Sequence, residues 1–227
     1  EAIARSCNVY FMECGIDIGI DTLDYWAKSF GLGEKTGVEI SEYMGYRNNE
    51  ETMKLKEQDS FHVWSDSDTA QASIGQLYNL FTPLQLCRYT CALANGGYLN
   101  QPHLVSGVKT FNGNVLADDS DKQSALSKIE VTDVVLGDVQ NGMVEMIKLS
   151  SKARLAFADF PEGFVAAKTG TPETGMEAFG QSSHSVLICY APANDPEIAV
   201  SIVIEHGASG SNSLALAAAI MKDYFGI

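Results

Sequence analysis

Lys168-Thr169-Gly170-Thr171 closes an apolar run, Phe164-Val165-Ala166-Ala167. An ammonium at the end of a buried strand needs a partner, because burying it alone is costly. Two threonine hydroxyls around a glycine, beside that lysine, make a pocket suited to a carboxylate. Gly170 lets a ligand approach the backbone closely, and the Thr171 N–H can serve as one oxyanion donor. A second polar group, Ser6-Cys7-Asn8, interrupts apolar segments near the chain start. Serine can shuttle a proton, and an asparagine amide can hold another amide by one donor and one acceptor. Each group also has a plainer reading: a strand end with an exposed lysine, and a helix cap at Asn8.

The elements that must position these groups can be read from spacing. Residues 1–14 carry helical apolar positions, broken near Ser6-Cys7-Asn8, with a short helix from about Val9 that ends at Gly15. Asp21 reads as the cap of a second helix, with Leu23, Trp26, Ala27 and Phe30 as its apolar stripe. Residues 33–70 are loop-rich, with a β-like run at Thr36–Ile40. Thr82-Pro83-Leu84-Gln85 is a helix start with capping-box chemistry. Asn112-Gly113 predicts a hairpin between Val105–Val108 and Val115-Leu116. Thr132 or Asp133 caps a further helix with Val135, Val139, Met143 and Met146 on its buried side. Strands follow at Phe164–Thr171, Ser185–Tyr190 and Glu197–Glu205, and a last helix at about Ser213–Phe225. Close connections between consecutive strands argue for antiparallel pairing. The expected fold class is therefore α/β in composition (α+β), an antiparallel sheet covered by helices.

Totals narrow the function classes. With 227 residues and 45% apolar content the chain can bury a sizeable core. A net charge of −14 repels nucleic acid and anionic lipid, so no nucleic-acid partner is expected. The five cysteines, Cys7, Cys14, Cys87, Cys91 and Cys189, form no C-x-x-C pair. His62, His103, His184 and His206 lack metal-ligand spacing, so neither metal nor cofactor is expected and all four read as structural or surface residues. Trp64 reads as packing a loop, and Glu50, Glu51, Glu57 and Asp59 as a solvated face.

Taken together, S-x-N followed by K-T-G-T resembles the penicillin-recognising serine enzymes, whose signature set is S-x-x-K, a serine-x-asparagine type motif and K-T-G. The likeness extends through Ala4–Phe11, Phe30–Val38, Ala72–Gln76, Thr82–Leu86, Ala92–Gly97, His184–Val186 and Glu205–Gly207. The whole chain is similar to the C-terminal part of a class B, monofunctional penicillin-binding protein, the elongation type in particular. That resemblance implies a β-lactamase/transpeptidase-like fold, incomplete at the N-terminus, with residues 1–227 as one partial transpeptidase domain. It implies cross-linking of peptidoglycan stem peptides through a serine acyl-enzyme, with β-lactams acylating the same serine. The implied partners are a D-Ala-D-Ala terminus, β-lactam antibiotics and a cell-wall synthesis complex. The implied location is the extracytoplasmic face of the bacterial membrane, in a membrane-anchored parent.

By the same resemblance, Ser6 relays a proton near the nucleophile, and Asn8 holds the acyl-side amide. Lys168 supplies positive potential for the terminal carboxylate. Thr169 and Thr171 hydrogen-bond that carboxylate, and the Thr171 N–H completes the oxyanion hole. Two departures stand out. Leu77-Tyr78-Asn79 follows Gly75-Gln76 where the family usually has a further glycine, and Ser185-Val186-Leu187 stands where a bulkier aromatic is common. The family nucleophile lies upstream of S-x-N, whereas this sequence opens five residues before Ser6. The expectation is a piece that forms no acyl-enzyme by itself. Ser106-Gly107-Val108-Lys109 matches S-x-x-K by letter, but a strand would turn residues i and i+3 to opposite faces. A non-catalytic, penicillin-sensing relative of the same fold is the alternative.

Overall fold

The computed structural model describes residues 1–57, 61–118 and 125–227, so Asp59 of the acidic group lies outside the described residues. In chain order the elements begin with α1 (Ala2–Arg5), α2 (Asn8–Ile18), α3 (Ile20–Ser29), α4 (Glu50–Lys56), α5 (Asp66–Ser73) and α6 (Pro83–Ala94). Four short strands follow: β1 (Tyr98–Asn100), β2 (Gly107–Lys109), β3 (Val115–Asp118) and β4 (Ala125–Lys128). Then come α7 (Asp133–Leu149), α8 (Ser151–Ala156), β5 (Ala166–Gly170), β6 (Ser185–Ala191), β7 (Ile198–Ile204) and α9 (Leu214–Phe225). Among the described residues, no helix is long and apolar enough to cross a membrane.

The central sheet is antiparallel in the order β5-β6-β7. Strand alternation gives it two apolar faces. Ala167, Leu187, Cys189, Val200 and Ile202 meet α8 and α9 through Ala153, Phe157, Leu214, Ala217 and Met221. Ala166 and Tyr190 meet Leu93 of α6 and Leu136 and Met143 of α7 on the other face. Burying each large side chain contributes about 1.5–3 kcal/mol, so the two helical layers stabilise the sheet from both sides. β1 pairs with β4 and β2 with β3 in two small separate ladders. The β2–β3 pair is the expected Asn112-Gly113 hairpin, with Gly113 at φ 85. It places Ser106-Gly107-Val108-Lys109 at a strand, as anticipated.

Two caps predicted from sequence form as written. Thr82 Oγ1 accepts from the Gln85 N–H at 3.2 Å, and Gln85 Oε1 accepts from the Thr82 N–H at 3.1 Å. Thr132 Oγ1 accepts from the Val135 N–H at the start of α7. On that helix the buried residues are Leu136, Gly142, Met143 and Met146, whereas Val135 is exposed. Met143 and Met146 are buried as expected and Val139 packs partly buried against the same cluster, so Val135, whose place Leu136 takes, is the one departure from the expected stripe. The Leu23–Phe30 stripe of α3 lines an open groove with α5 and α6 rather than a closed core. That helix begins at Ile20, with Asp21 in its first turn and Gly19 as its cap.

Three further expectations are corrected. Thr36–Ile40 is no strand; Thr36 is fully buried because its N–H and hydroxyl both donate to the Glu42 carboxylate, at 2.8 and 2.6 Å. Asn8 does not cap its helix: Cys7 stands at the cap and Asn8 is the first helical residue. Gly15 does not end α2, which runs on to Ile18. Gly15 is instead the contact point with α5, since a Cβ there would lie 2.3 Å from Ser73 Cβ. Alanine at Gly15 would gain about 1 kcal/mol of helix propensity but overpack the contact at about 1–3 kcal/mol. Gly15→Ala is expected to lower the thermal midpoint, and Ser73→Gly in the same chain to restore it.

Candidate active site

Ser6 is held by a turn that its neighbours build. α1 ends with Ser6 in the left-handed region at φ 51, and the Ser6 and Cys7 N–H groups donate back to Ile3 O and Ala2 O. That double closure stops a helix, here with serine where glycine is usual. α1 packs on α7, where a Cβ at Gly142 would lie 2.8 Å from Ile3 Cβ, so the glycine lets the two helices touch. α7 in turn lies on β5. The chain of contacts α1–α7–β5 therefore brings the Ser6 turn to the end of the β5 strand.

There the two polar groups meet. The Lys168 Nζ donates to Ser6 Oγ at 2.7 Å and to Thr169 O at 2.7 Å, joining positions 162 residues apart. Burial lowers the Lys168 pKa from its ordinary value. A partly desolvated ammonium gives up a proton more readily, and Ser6 is its hydroxyl partner. Asn8 follows two residues later, with its side chain exposed and bonded to no described residue. Thus Ser6 and Lys168 are in contact, and Asn8 lies two residues along the chain from that contact, at the start of α2.

Among the described residues β5 is an edge strand: β6 takes one side and no strand pairs with the other. The His184 N–H donates to Pro172 O across the strand pair. Alternation along an antiparallel ladder then turns the N–H groups of Thr169 and Thr171 to the open edge. The Thr171 N–H finds no acceptor among the described residues and is free to meet an oxyanion. Thr169 is half-buried with an unbonded hydroxyl, and Thr171 Oγ1 accepts from the Gly210 N–H at 3.0 Å. Gly170 makes only ordinary contact with Val186 where a Cβ would be, so no neighbour in this structure forces glycine there.

The loop after Thr171 is organised by Glu177. Its carboxylate accepts from the Thr174 N–H at 2.7 Å, from the Thr174 hydroxyl at 3.2 Å and from the Ser183 hydroxyl at 3.0 Å. These donors, the Thr174 N–H foremost, pull its pKa from 4.5 down to about 2. A depressed carboxylate contributes stability above its unfolded pKa and loses it as pH falls through the folded one. Pepsin cleavage within 172–183 is expected to rise only as pH drops from about 4 towards about 2. In Glu177→Gln it should be rapid across that range, with the global fold followed by circular dichroism.

The remaining sequence candidates are structural. The His62 ring bridges Glu57 and Asp68, at 3.0 Å to each. Trp64 donates its indole N–H to Thr69 and packs near Tyr78. No cluster suited to a metal ion occurs among the described residues. All five cysteines are free thiols. Sequence reasoning missed Gly210 and the His184–His206 contact behind Thr171; the close pair Gly207 and Gly210 after Glu205-His206 was the available signal.

An apolar antiparallel sheet between helical layers, with a serine turn bonded to the lysine of its edge strand, defines a penicillin-recognising architecture. The penicillin binding protein transpeptidase domain profile matches residues 1–226, and the chain belongs to that family. It is 31% identical to the peptidoglycan D,D-transpeptidase MrdA of Haemophilus influenzae over 99% of this chain and 36% of that protein. It is 28% identical to the MrdA protein of Escherichia coli over 92% of this chain and 34% of that protein. Among solved structures, Pseudomonas aeruginosa PBP2 in complex with WCK 5153 aligns with a TM-score of 0.79 at 28% identity, covering 98% of this chain and 48% of that one. PBP2 in its complex with MreC from Helicobacter pylori aligns with a TM-score of 0.77 at 28% identity, covering 99% and 39%. The chain thus spans about a third of the length of these curated relatives, as a class B, PBP2-type transpeptidase sequence.

Proposed function

We propose that this chain supplies one wall of a peptidoglycan D,D-transpeptidase active site. The observation that carries the reading is the Lys168–Ser6 hydrogen bond beside the open edge of β5. In this reading a serine on a segment upstream of Glu1 attacks the carbonyl of the penultimate D-alanine, giving its proton to the lysine of its own S-x-x-K motif as general base. The new ester bond forms as the D-Ala-D-Ala amide breaks, and the terminal D-alanine leaves. Ser6, bonded to Lys168, passes a proton to the departing amine. Asn8 holds the acyl-side amide. The Thr171 N–H donates to the oxyanion, the second donor being the nucleophile's own N–H. Lys168, Thr169 and Thr171 receive the terminal carboxylate, and Gly170 leaves the backbone accessible beside it. An amine of a second stem peptide then breaks the ester, forms the cross-link and returns the serine hydroxyl.

The net charge of −14 disfavours an anionic substrate at long range, so the attraction is local to Lys168. β-Lactams present a strained amide and a carboxylate in the same arrangement and acylate the same serine. The relatives named peptidoglycan D,D-transpeptidase support a parent that acts in cell-wall synthesis, as a membrane-anchored protein on the extracytoplasmic face within a larger synthesis complex.

Fluorescent penicillin tests this directly. The full-length gene product should carry one stable covalent label, and residues 1–227 alone should carry none. Lasting label on the 227-residue chain would locate the nucleophile within it and contradict the assignment; an unlabelled full-length product would sink the reading.

A further inference from the structure

The segment after β7 folds back over the end of β5. Gly210 opens a 3-10 turn there, Gly210–Ser213, and rests on the Gly170 backbone. A Cβ at Gly210 would lie 2.4 Å from Gly170 O and 2.9 Å from Gly170 N, so a side chain there lifts the 3-10 turn off β5, which its ladder to β6 holds in place. From that seat the Gly210 N–H donates to Thr171 Oγ1 at 3.0 Å. A hydroxyl has one proton and two acceptor positions. With one acceptor position held by Gly210, the Thr171 proton is turned away from the 3-10 turn.

The same segment is anchored upstream. The His206 N–H donates to His184 Nδ1 at 3.0 Å, and the Ala208 N–H donates to Ser183 O at 2.8 Å. Both residues sit in the left-handed region, His206 at φ 54 and Ala208 at φ 65. Non-glycine residues keep such angles only where surrounding contacts hold them. A Cβ at Gly207 would lie 2.6 Å from Ser185 Cβ, and the buried Ser185 and Ser213 hydroxyls bond at 2.6 Å. The segment is thus fastened to β6 on one side of Gly210 and beneath it on the other.

We propose that Gly210 is a positioning residue for the carboxylate pocket: its N–H orients the Thr171 hydroxyl so that the proton is donated to the ligand carboxylate. The inference rests on the transpeptidase reading and adds to it the segment Glu205–Ser213, which touches no reacting atom.

The test uses the full-length protein and two acylating agents, benzylpenicillin and its neutral methyl ester. The readout is the ratio of their second-order acylation constants, which a general loss of structure leaves unchanged. Gly210→Ala is expected to lower that ratio about tenfold, the worth of one charge-assisted hydrogen bond. Thr171→Val should lower it equally, and adding Gly210→Ala to Thr171→Val should change it by less than about twofold. Thr171→Ser, which keeps the hydroxyl, should retain most of the ratio. His184→Ala loosens the segment without a clash and should lower the ratio about threefold. An unchanged ratio in Gly210→Ala, or a loss that persists in the Thr171→Val background, overturns the proposal. Should Gly210→Ala fail to melt cooperatively, an unchanged ratio in His184→Ala overturns it. A wild-type protein acylated by neither compound would instead bring down the transpeptidase reading, and this inference with it.

Discussion

Lys168→Ala in the full-length protein is expected to slow acylation by benzylpenicillin by about two orders of magnitude, with little change in thermal midpoint. The substitution removes a charge-assisted bond to Ser6 Oγ and a second to Thr169 O, both at 2.7 Å. Hydrogen bonds to charged groups contribute about 1.5–3 kcal/mol each, and about 1.4 kcal/mol is tenfold in rate. The bond to Thr169 O is internal to β5; the bond to Ser6 and the attraction for the ligand carboxylate, taken at the lower end of that range as they tighten in the transition state, together give about a hundredfold. Fold stability should change little because the Ser6 partner is exposed and β5 keeps its full ladder to β6. Lys168→Arg should not restore the rate, since a planar guanidinium cannot place a point charge on a serine oxygen in the same way. A time course of fluorescent-penicillin labelling reads the effect; a loss under about threefold would remove Lys168 from the mechanism.

Arg47→Ala is expected to have the largest effect on stability, about 3 kcal/mol. Arg47 is 15% exposed and its guanidinium meets Asp24 and Glu34 at 2.8 Å each. It also donates to Leu32 O at 3.0 Å and Gly33 O at 3.1 Å, tying α3 to the loop that follows. Breaking a buried ion pair costs about 3–5 kcal/mol, because the partner charges are left uncompensated. Asp24 and Glu34 are 25% and 35% exposed, so water screens them in part and the lower end applies. For a chain of this size that corresponds to a fall of roughly 6–12 °C in thermal midpoint. Arg47→Lys should recover less than half, having one charge but no fork. A midpoint within about 2 °C of the parent would show that water replaces these bonds without cost.

Much of the architecture was legible because local chemistry and periodicity agree. The Thr82-Pro83-Leu84-Gln85 start, the Asn112-Gly113 hairpin and the apolar runs of β5, β6 and β7 each carry their signal within a few residues. The Lys168–Ser6 meeting was legible only as a paired motif, since nothing local to Ser6 points to a residue 162 positions away. By its own propensity Gly15 is a helix stop, and Thr36, a β-branched residue, belongs to a strand. In the fold Gly15 answers to Ser73 and Thr36 to Glu42, partners that no local pattern announces. Gln85 illustrates both cases: its capping role is written in the sequence, whereas its amide donation to Glu34 O and Met44 O is a property of the tertiary structure. For Gly210 the spacing of Gly207 and Gly210 is the one local signal, and it does not name the partner, which is the backbone of Gly170.

The account turns on whether the Ser6–Asn8 turn and the end of β5 enclose one acyl-D-Ala-D-Ala site. A crystal structure of the full-length protein acylated by benzylpenicillin tests that most directly. The account predicts the drug carboxylate beside Lys168, Thr169 and Thr171, the acyl carbonyl oxygen on the Thr171 N–H, and the side-chain amide against Asn8. An acyl group attached elsewhere, or one lying between other elements with Asn8 and Lys168 untouched, would contradict it.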